Sequence, residues 1–277
     1  MDPDGDGVGS NGGHVSILHS YSTGNIYGSQ SGGLCGYGAG KFQGSLDIIY
    51  SSSSGNILGP QSGGLCGKRV AYSNGSVEIM QSYSLGKIAG INAGGLVGRE
   101  AAGRFGYLHI TNSYSRGEIT GQQWAGGACG FKLGLNRGNV IIDSIYTSGH
   151  VKSSSAGGMI GLVANDAESI KIRGCVYNQG PLLGSKNARQ VELVNNSNSL
   201  GDIKGKVHCP FPSEPEPCWD ASSVWKVVSG QLPQLQIQVA PSATPSATPS
   251  PTTTATPSST STMTPTNSPS SSSSQSV

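Results

Sequence analysis

The chain has 277 residues, of which 43 are glycine and only 12% are charged, against the usual quarter. A formal net charge of +2 is too small for a nucleic-acid footprint, and no apolar run approaches the ~20 residues of a membrane span.

Residues 1–14 read as a flexible polar segment. MDPDGDGVGS lacks the basic and apolar regions of a signal peptide, which leaves an intracellular chain or a fragment or mature form. Asp2 to Gly7 is similar to the start of a calcium loop, with oxygens at alternate positions. An EF-hand loop would want Glu at its twelfth position, where Gly13 stands, so no metal and no cofactor are expected.

From residue 15 to 202 the chain repeats itself. Gly-Gly-x-x-Gly begins at Gly32, Gly63, Gly94, Gly126 and Gly157, in steps of 31, 31, 32 and 31 residues. Each motif carries its pair: Gly32 and Gly33, Gly63 and Gly64, Gly94 and Gly95, Gly126 and Gly127, Gly157 and Gly158. A small-polar and Tyr segment precedes it in step, ending at Gly24, Gly55, Gly86, Gly117 and Gly149. A weaker copy ends at Gly180 without a Gly-Gly after it. A period of this length marks a stacked array, because each unit buries its apolar side on its neighbour.

Within each unit the pattern is that of strands. Four-residue runs begin at Val15, Leu46, Val77, Leu108, Val140 and Ile170, with aliphatic first and third residues and variable second and fourth ones. One face is buried and the other tolerates solvent. A second inward position is Ile26, Ile57, Ile88, Ile119 and Val151, and a third is Leu34, Leu65, Leu96, Ala128 and Met159. Glycine recurs too often for a helix. The spacing therefore predicts an all-β parallel solenoid, or β-helix, of about six coils with a degenerate last one. At the ~4.8 Å strand spacing such a rod is roughly 30 Å long. The Gly-Gly corners suit either positive φ or backbone too closely packed for a Cβ.

GNIYGSQSGGLCG, GNILGPQSGGLCG and GKIAGINAGGLVG also resemble GLUG-motif repeats, with a Gly-Gly-Leu-x-Gly core after a Gly-x-Val/Ile-x-Gly approach. The resemblance spans Val15 to Val163. The fourth copy has Ala128 in place of Leu, and the fifth has Met159 and lacks the second approach Gly. It implies a repetitive extracellular or cell-surface scaffold of adhesin-like type, and it transfers no catalytic residue.

The connectors between the glycine motif and the next strand carry Lys41, Lys68, Arg69, Arg99, Arg104, Lys132 and Arg137 beside Phe42, Tyr72, Phe105 and Phe131. Stacking is expected to gather them on one edge, where cations beside rings would grip an anionic glycan or a cell-surface acid group. Ordinary solvated loops are the plain alternative. Cys35, Cys66 and Cys129 share a ladder position with Val97 and Ile160 and read as small hydrophobes. A disulfide between Cys35 and Cys66 stays open, as does the role of Cys175.

Residues 203–239 read as a cap, with Trp219 and Trp225 supplying bulk over the last coil. Cys209 and Cys218 bracket a proline-rich loop and are expected to form a disulfide. Residues 240–277, rich in Ser, Thr and Pro and without charge, read as a disordered stalk or linker. N-glycosylation patterns stand at Asn74 and Asn195.

The five His are scattered, no Gly-x-Ser-x-Gly or His-Glu-x-x-His occurs, and successive coils do not repeat their acidic residues. The sequence reads as a non-catalytic, monomeric surface scaffold for adhesion or glycan binding. A structural spacer is the alternative, and a polysaccharide-active β-helix enzyme ranks third.

Overall fold

Alternating apolar and polar residues close into a parallel β-solenoid of about five turns in the computed structural model. It describes residues 7–121, 123–178, 180–185, 191–194, 196–200, 219–220 and 223–236. Cys209, Cys218, most of the N-terminal acidic segment and the Ser/Thr/Pro-rich region lie outside these residues, and the chain divides into two units after Ala240.

The broad sheet takes one strand from each coil: His14–Leu18, Ser45–Ile49, Ser76–Met80, Tyr107–Thr111, Asn139–Asp143, Ser169–Arg173 and Val191–Val194. Every pairing is parallel and in register, so Val15, Leu46, Val77, Leu108, Val140 and Ile170 form one ladder. Ile17, Ile48, Ile79, Ile110, Ile142 and Ile172 form the next inward ladder. From Leu46 to Ile172 both ladders are buried, and each such side chain contributes about 1.5–3 kcal/mol by leaving water. A second sheet stacks Tyr21–Ser22, Ser52–Ser53, Tyr83–Ser84, Tyr114–Ser115, Tyr146–Thr147 and Val176–Tyr177. A third, narrow sheet holds Ile88–Ala89, Ile119–Thr120 and Val151–Lys152.

The expectation of about six coils becomes about five full turns and a shortened sixth. Ile170 pairs with Val191, a step of 21 residues where the earlier coils take 30 to 32. Leu183 bridges back to Ile160, so the last coil closes over the fifth glycine motif, and among the described residues it adds no strand to the narrow sheet.

The interior has two compartments. The main one joins the broad sheet to Leu65, Leu96, Ala128 and Met159 and to the Cys–Val–Ile ladder beside them. The smaller one stacks Ile57, Ile88 and Ile119 with Ala93 and Ala125. Buried serines tie neighbouring coils together. The amides of Ser20, Ser51 and Ser82 donate to the hydroxyls of Ser51, Ser82 and Ser113, one coil on. Those hydroxyls in turn donate to strand carbonyls: Ser51 to Ile49, Ser82 to Met80 and Ser113 to Thr111, so each of these three buried hydroxyls is satisfied.

The glycine motifs resolve in favour of close packing. None of their Gly pairs has positive φ. A Cβ on the second Gly of Gly33, Gly64, Gly95 or Gly127 would overlap the hydroxyl of Ser53, Ser84, Ser115 or Thr147 in the next coil. A Cβ on Gly32 would overlap the backbone at Cys35 and Cys66. Positive φ falls instead on residues with side chains. His19, Tyr50, Gln81, Asn112 and Ser144 form a left-handed ladder where the broad sheet ends, and Gly174 completes it. Each amide there still bonds the next coil, as Gln81 does to the Thr111 carbonyl at 3.2 Å, which holds the conformation.

The C-terminal tryptophans are buried against the second sheet, and Trp219 Nε1 donates to the Gly174 carbonyl of the last coil at 3.1 Å. Tyr83, Tyr114 and Tyr146 stack face to face at 4.8 and 4.9 Å on the outside of the second sheet. Trp219 and Trp225 pack on that stack with Val176. The Tyr146 hydroxyl donates to the Pro233 carbonyl, and the Arg116 guanidinium lies 4.8 Å from the Tyr114 ring. The row of flat rings gives both tryptophans a broad apolar seat.

Candidate functional site

The connectors are structured parts of each coil. Ala39, Val70, Ala101 and Leu133 point into the main core, as do Ala71 and Ala102. This buried strip divides the expected single edge in two. Lys68, Arg69, Arg99, Phe131 and Lys132 lie before the strip, and Phe42, Arg104, Phe105 and Arg137 lie after it. Lys41 and Tyr72 sit between them and are buried, at 2% and 5% exposure, so they do not belong to a surface edge. Their shared ladder position faces the gap over Gly103, where the Tyr72 ring occupies the space a Cβ would need.

The cations of the first edge find partners within the edge. Lys68 lies 5.9 Å from the Tyr37 ring, and Arg99 lies 5.4 Å from Phe131, each one coil apart. Glu100, at the ladder position of Arg69 and Lys132, is buried and accepts from Arg69 at 2.8 Å while pairing with Arg99 at 2.6 Å. Burial opposes ionisation of Glu100. The hydrogen bond from Arg69 and the charges of Arg99, Arg69 and Lys68 outweigh it and hold the carboxyl below its ordinary value. Burial likewise disfavours the Arg69 cation, but Glu100 and the Tyr37 hydroxyl keep it firmly protonated.

The second edge is open. Phe42–Gln43, Ser73–Asn74, Arg104–Phe105 and Asn136–Arg137 are consecutive left-handed residues, with φ between 51° and 63°, in four successive coils. Asn11 and Gly12 extend the row by one coil. The amides of Gln43, Asn74 and Phe105 bond the carbonyls of Ser73, Arg104 and Asn136, which fixes the backbone. An open groove of about 500 Å³ runs among Asn11, Gly12, Phe42, Gln43, Ser73 and Asn74. Beyond it Phe105 is 56% exposed, with the Arg137 guanidinium 5.5 Å from its ring and Glu168 3.1 Å from Arg137 Nε. Arg104 stacks on Tyr72 at 5.4 Å.

Sequence reasoning missed Tyr37 and Glu100 as partners of the first edge, and the amides of Asn11, Gln43 and Asn74 on the second. The signal was available, since all share ladder positions with the chosen residues. It also missed a polar cluster on the broad sheet. His109 Nδ1 lies 3.2 Å from Glu78 and Nε2 lies 3.8 Å from Asp143, which takes two hydrogen bonds from Arg173 at 2.8 and 2.6 Å. The Asp143 carboxylate raises the His109 pKa most, being less exposed than Glu78, although the shorter contact is to Glu78. Partial burial works the other way.

The cysteines behave as filler. Cys35, Cys66, Cys129 and Cys175 are buried free thiols, and Cys35 and Cys66 are bridge partners on neighbouring coils. Burial pushes the Cys129 thiol up, and the Cys175 thiol up to about 12. Among the described residues, no group of three or more His, Cys, Asp or Glu side chains is placed to hold a metal ion. No helix among them is long and apolar enough to cross a membrane. Comparison with protein-family models, curated proteins and solved structures finds no match.

Proposed function

We propose that the chain is a non-catalytic, extracellular or cell-surface repeat scaffold that binds glycans, and so serves adhesion, through its second connector edge. The observation that carries this reading is the row of paired left-handed residues. It holds Phe42, Arg104, Phe105 and Arg137 outward on hydrogen-bonded backbone across four coils. Rings and guanidinium groups held this way meet the apolar face and the acid groups of sugars at little ordering cost. The resemblance to GLUG-motif repeats and the Ser/Thr/Pro-rich composition after residue 240 support a surface location.

A spacer without a ligand is the second reading. It is favoured by the first edge, where Lys68, Arg69 and Arg99 are taken up by Tyr37, Glu100 and Phe131.

A glycan array separates the two. The wild-type chain should retain at least one glycan class, and a variant with Phe42, Arg104, Phe105 and Arg137 all changed to Gly should lose at least about tenfold in affinity. Glycine suits these positions because it accepts positive φ. A wild-type chain that retains nothing would leave the spacer reading.

A further inference from the structure

The open connector edge also constrains the shape of its ligand. Its two columns are Asn11, Phe42, Ser73, Arg104, Asn136 and, beside them, Gly12, Gln43, Asn74, Phe105, Arg137. Successive members are separated by one coil, roughly 4.8 Å. We propose, on the basis of the glycan-binding reading, that this edge seats one extended, β-linked acidic polysaccharide. The chain lies parallel to the stacking axis with about one pyranose ring per coil.

Three observations point the same way. First, the two aromatic rings, Phe42 and Phe105, stand two coils apart. A β-linked pyranose chain advances about one coil rise per ring and turns the same face outward at every second ring. Phe42 lies in the first column and Phe105 in the second, and one extended chain of about three rings running along the edge spans the distance between them.

Second, the groove at Asn11, Gln43 and Asn74 is lined by neutral amides, and among the described residues their side chains have no hydrogen-bond partner. Each amide offers both donors and an acceptor, which is the pairing that sugar hydroxyls need. Their backbone groups are already committed to neighbouring coils, so the side chains are presented on a rigid frame.

Third, charge enters in the next coil. Arg104 is exposed and rests on Tyr72, and among the described residues no carboxylate pairs with it. Its guanidinium fits a carboxylate on the bound chain. One half of the edge thus reads uncharged rings and the other half reads an acid group, so the ligand carries a carboxylate on an otherwise neutral stretch.

Hyaluronan oligosaccharides, with a carboxylate on every second β-linked ring, are the probe. The chain should bind a hyaluronan decasaccharide in calorimetry, and a tetrasaccharide, which reaches fewer coils, at least about tenfold more weakly. An uncharged cello-oligosaccharide of matched length should bind at least about fivefold more weakly than the decasaccharide. Changing Gln43 and Asn74 together to Gly should weaken the decasaccharide by about fivefold or more, and Arg104→Gly likewise. Lys87→Ala removes one charge from the narrow-sheet face and should leave binding unchanged.

Absence of decasaccharide binding, equal affinity for the tetrasaccharide or for the uncharged chain, or an equal loss in Lys87→Ala overturns the proposal. Should the glycan array show other ligands while hyaluronan fails, the broader glycan-binding reading stands and this one falls.

Discussion

At the scale of single residues, the two kinds of unusual backbone in this chain have opposite causes. The motif glycines are there for space. Gly64 lies under the Gly95 carbonyl and the Ser84 side chain of the next coil, and neither can move without opening the stack. Gly64→Ala should therefore cost at least about 3 kcal/mol, read as a lower urea midpoint with an unchanged slope. Gln81, at φ 45°, is held left-handed by its bond to Thr111 and could be replaced by the residue that prefers this region. Gln81→Gly should change stability by less than about 1 kcal/mol, because relief of strain offsets the greater freedom of the unfolded chain. Equal losses in the two variants would refute this division. The sequence shows where glycine recurs. It does not show which glycines turn the chain and which make room, since the neighbour that needs the room belongs to another coil.

At the scale of elements, the outward face of the broad sheet has its own electrostatics. Glu78, His109, Asp143 and Arg173 link four adjacent strands. The folded pKa of His109 is raised above the ordinary ~6.5, so its stabilising effect is complete below that value. The effect disappears as pH rises through the higher folded value. Asp143 behaves in the reverse sense. Burial opposes its ionisation, but His109 and Arg173 together lower its pKa. Its contribution is present above the ordinary ~3.9 and is lost as pH falls through the lowered value. Wild-type melting temperature should therefore fall from pH 6 to pH 8 by more than that of His109→Gln. Parallel pH profiles for the two proteins would show that the cluster contributes nothing. Glu78 with His109 and Asp143 with Arg173 are register pairs at the repeat spacing, and what the sequence hid is the diagonal link between the two pairs. Ile141, and not Asp143, is the register partner of His109.

At the scale of the whole molecule, stability comes from neighbour on neighbour, with one flank braced by the C-terminal segment. Trp225 is fully buried against Tyr114 and Tyr146, while Tyr21, at the same ladder position in the first coil, is exposed. Trp225→Ala should cost about 3–5 kcal/mol locally. In a stacked array that loss need not spread. Hydrogen exchange should quicken at Tyr114–Ser115 and Tyr146–Thr147, while Ser45–Ile49 keeps its protection. Uniform loss of protection through all coils would show that the solenoid folds as one unit and depends on this brace throughout.

The 31-residue pitch, the alternation inside each strand and the ladder of small residues were enough to predict a parallel solenoid. Coils of nearly equal length stack in register most simply, and that near-equality is visible along the chain as far as the fifth glycine motif. What the pitch leaves open is which way a residue faces between strands. Lys41 and Tyr72 turn inward, and the remaining cations split into a self-paired edge and an open one. Those outcomes depend on left-handed turns within the connectors and on partners one coil away, and only the stacked structure brings such partners within contact distance.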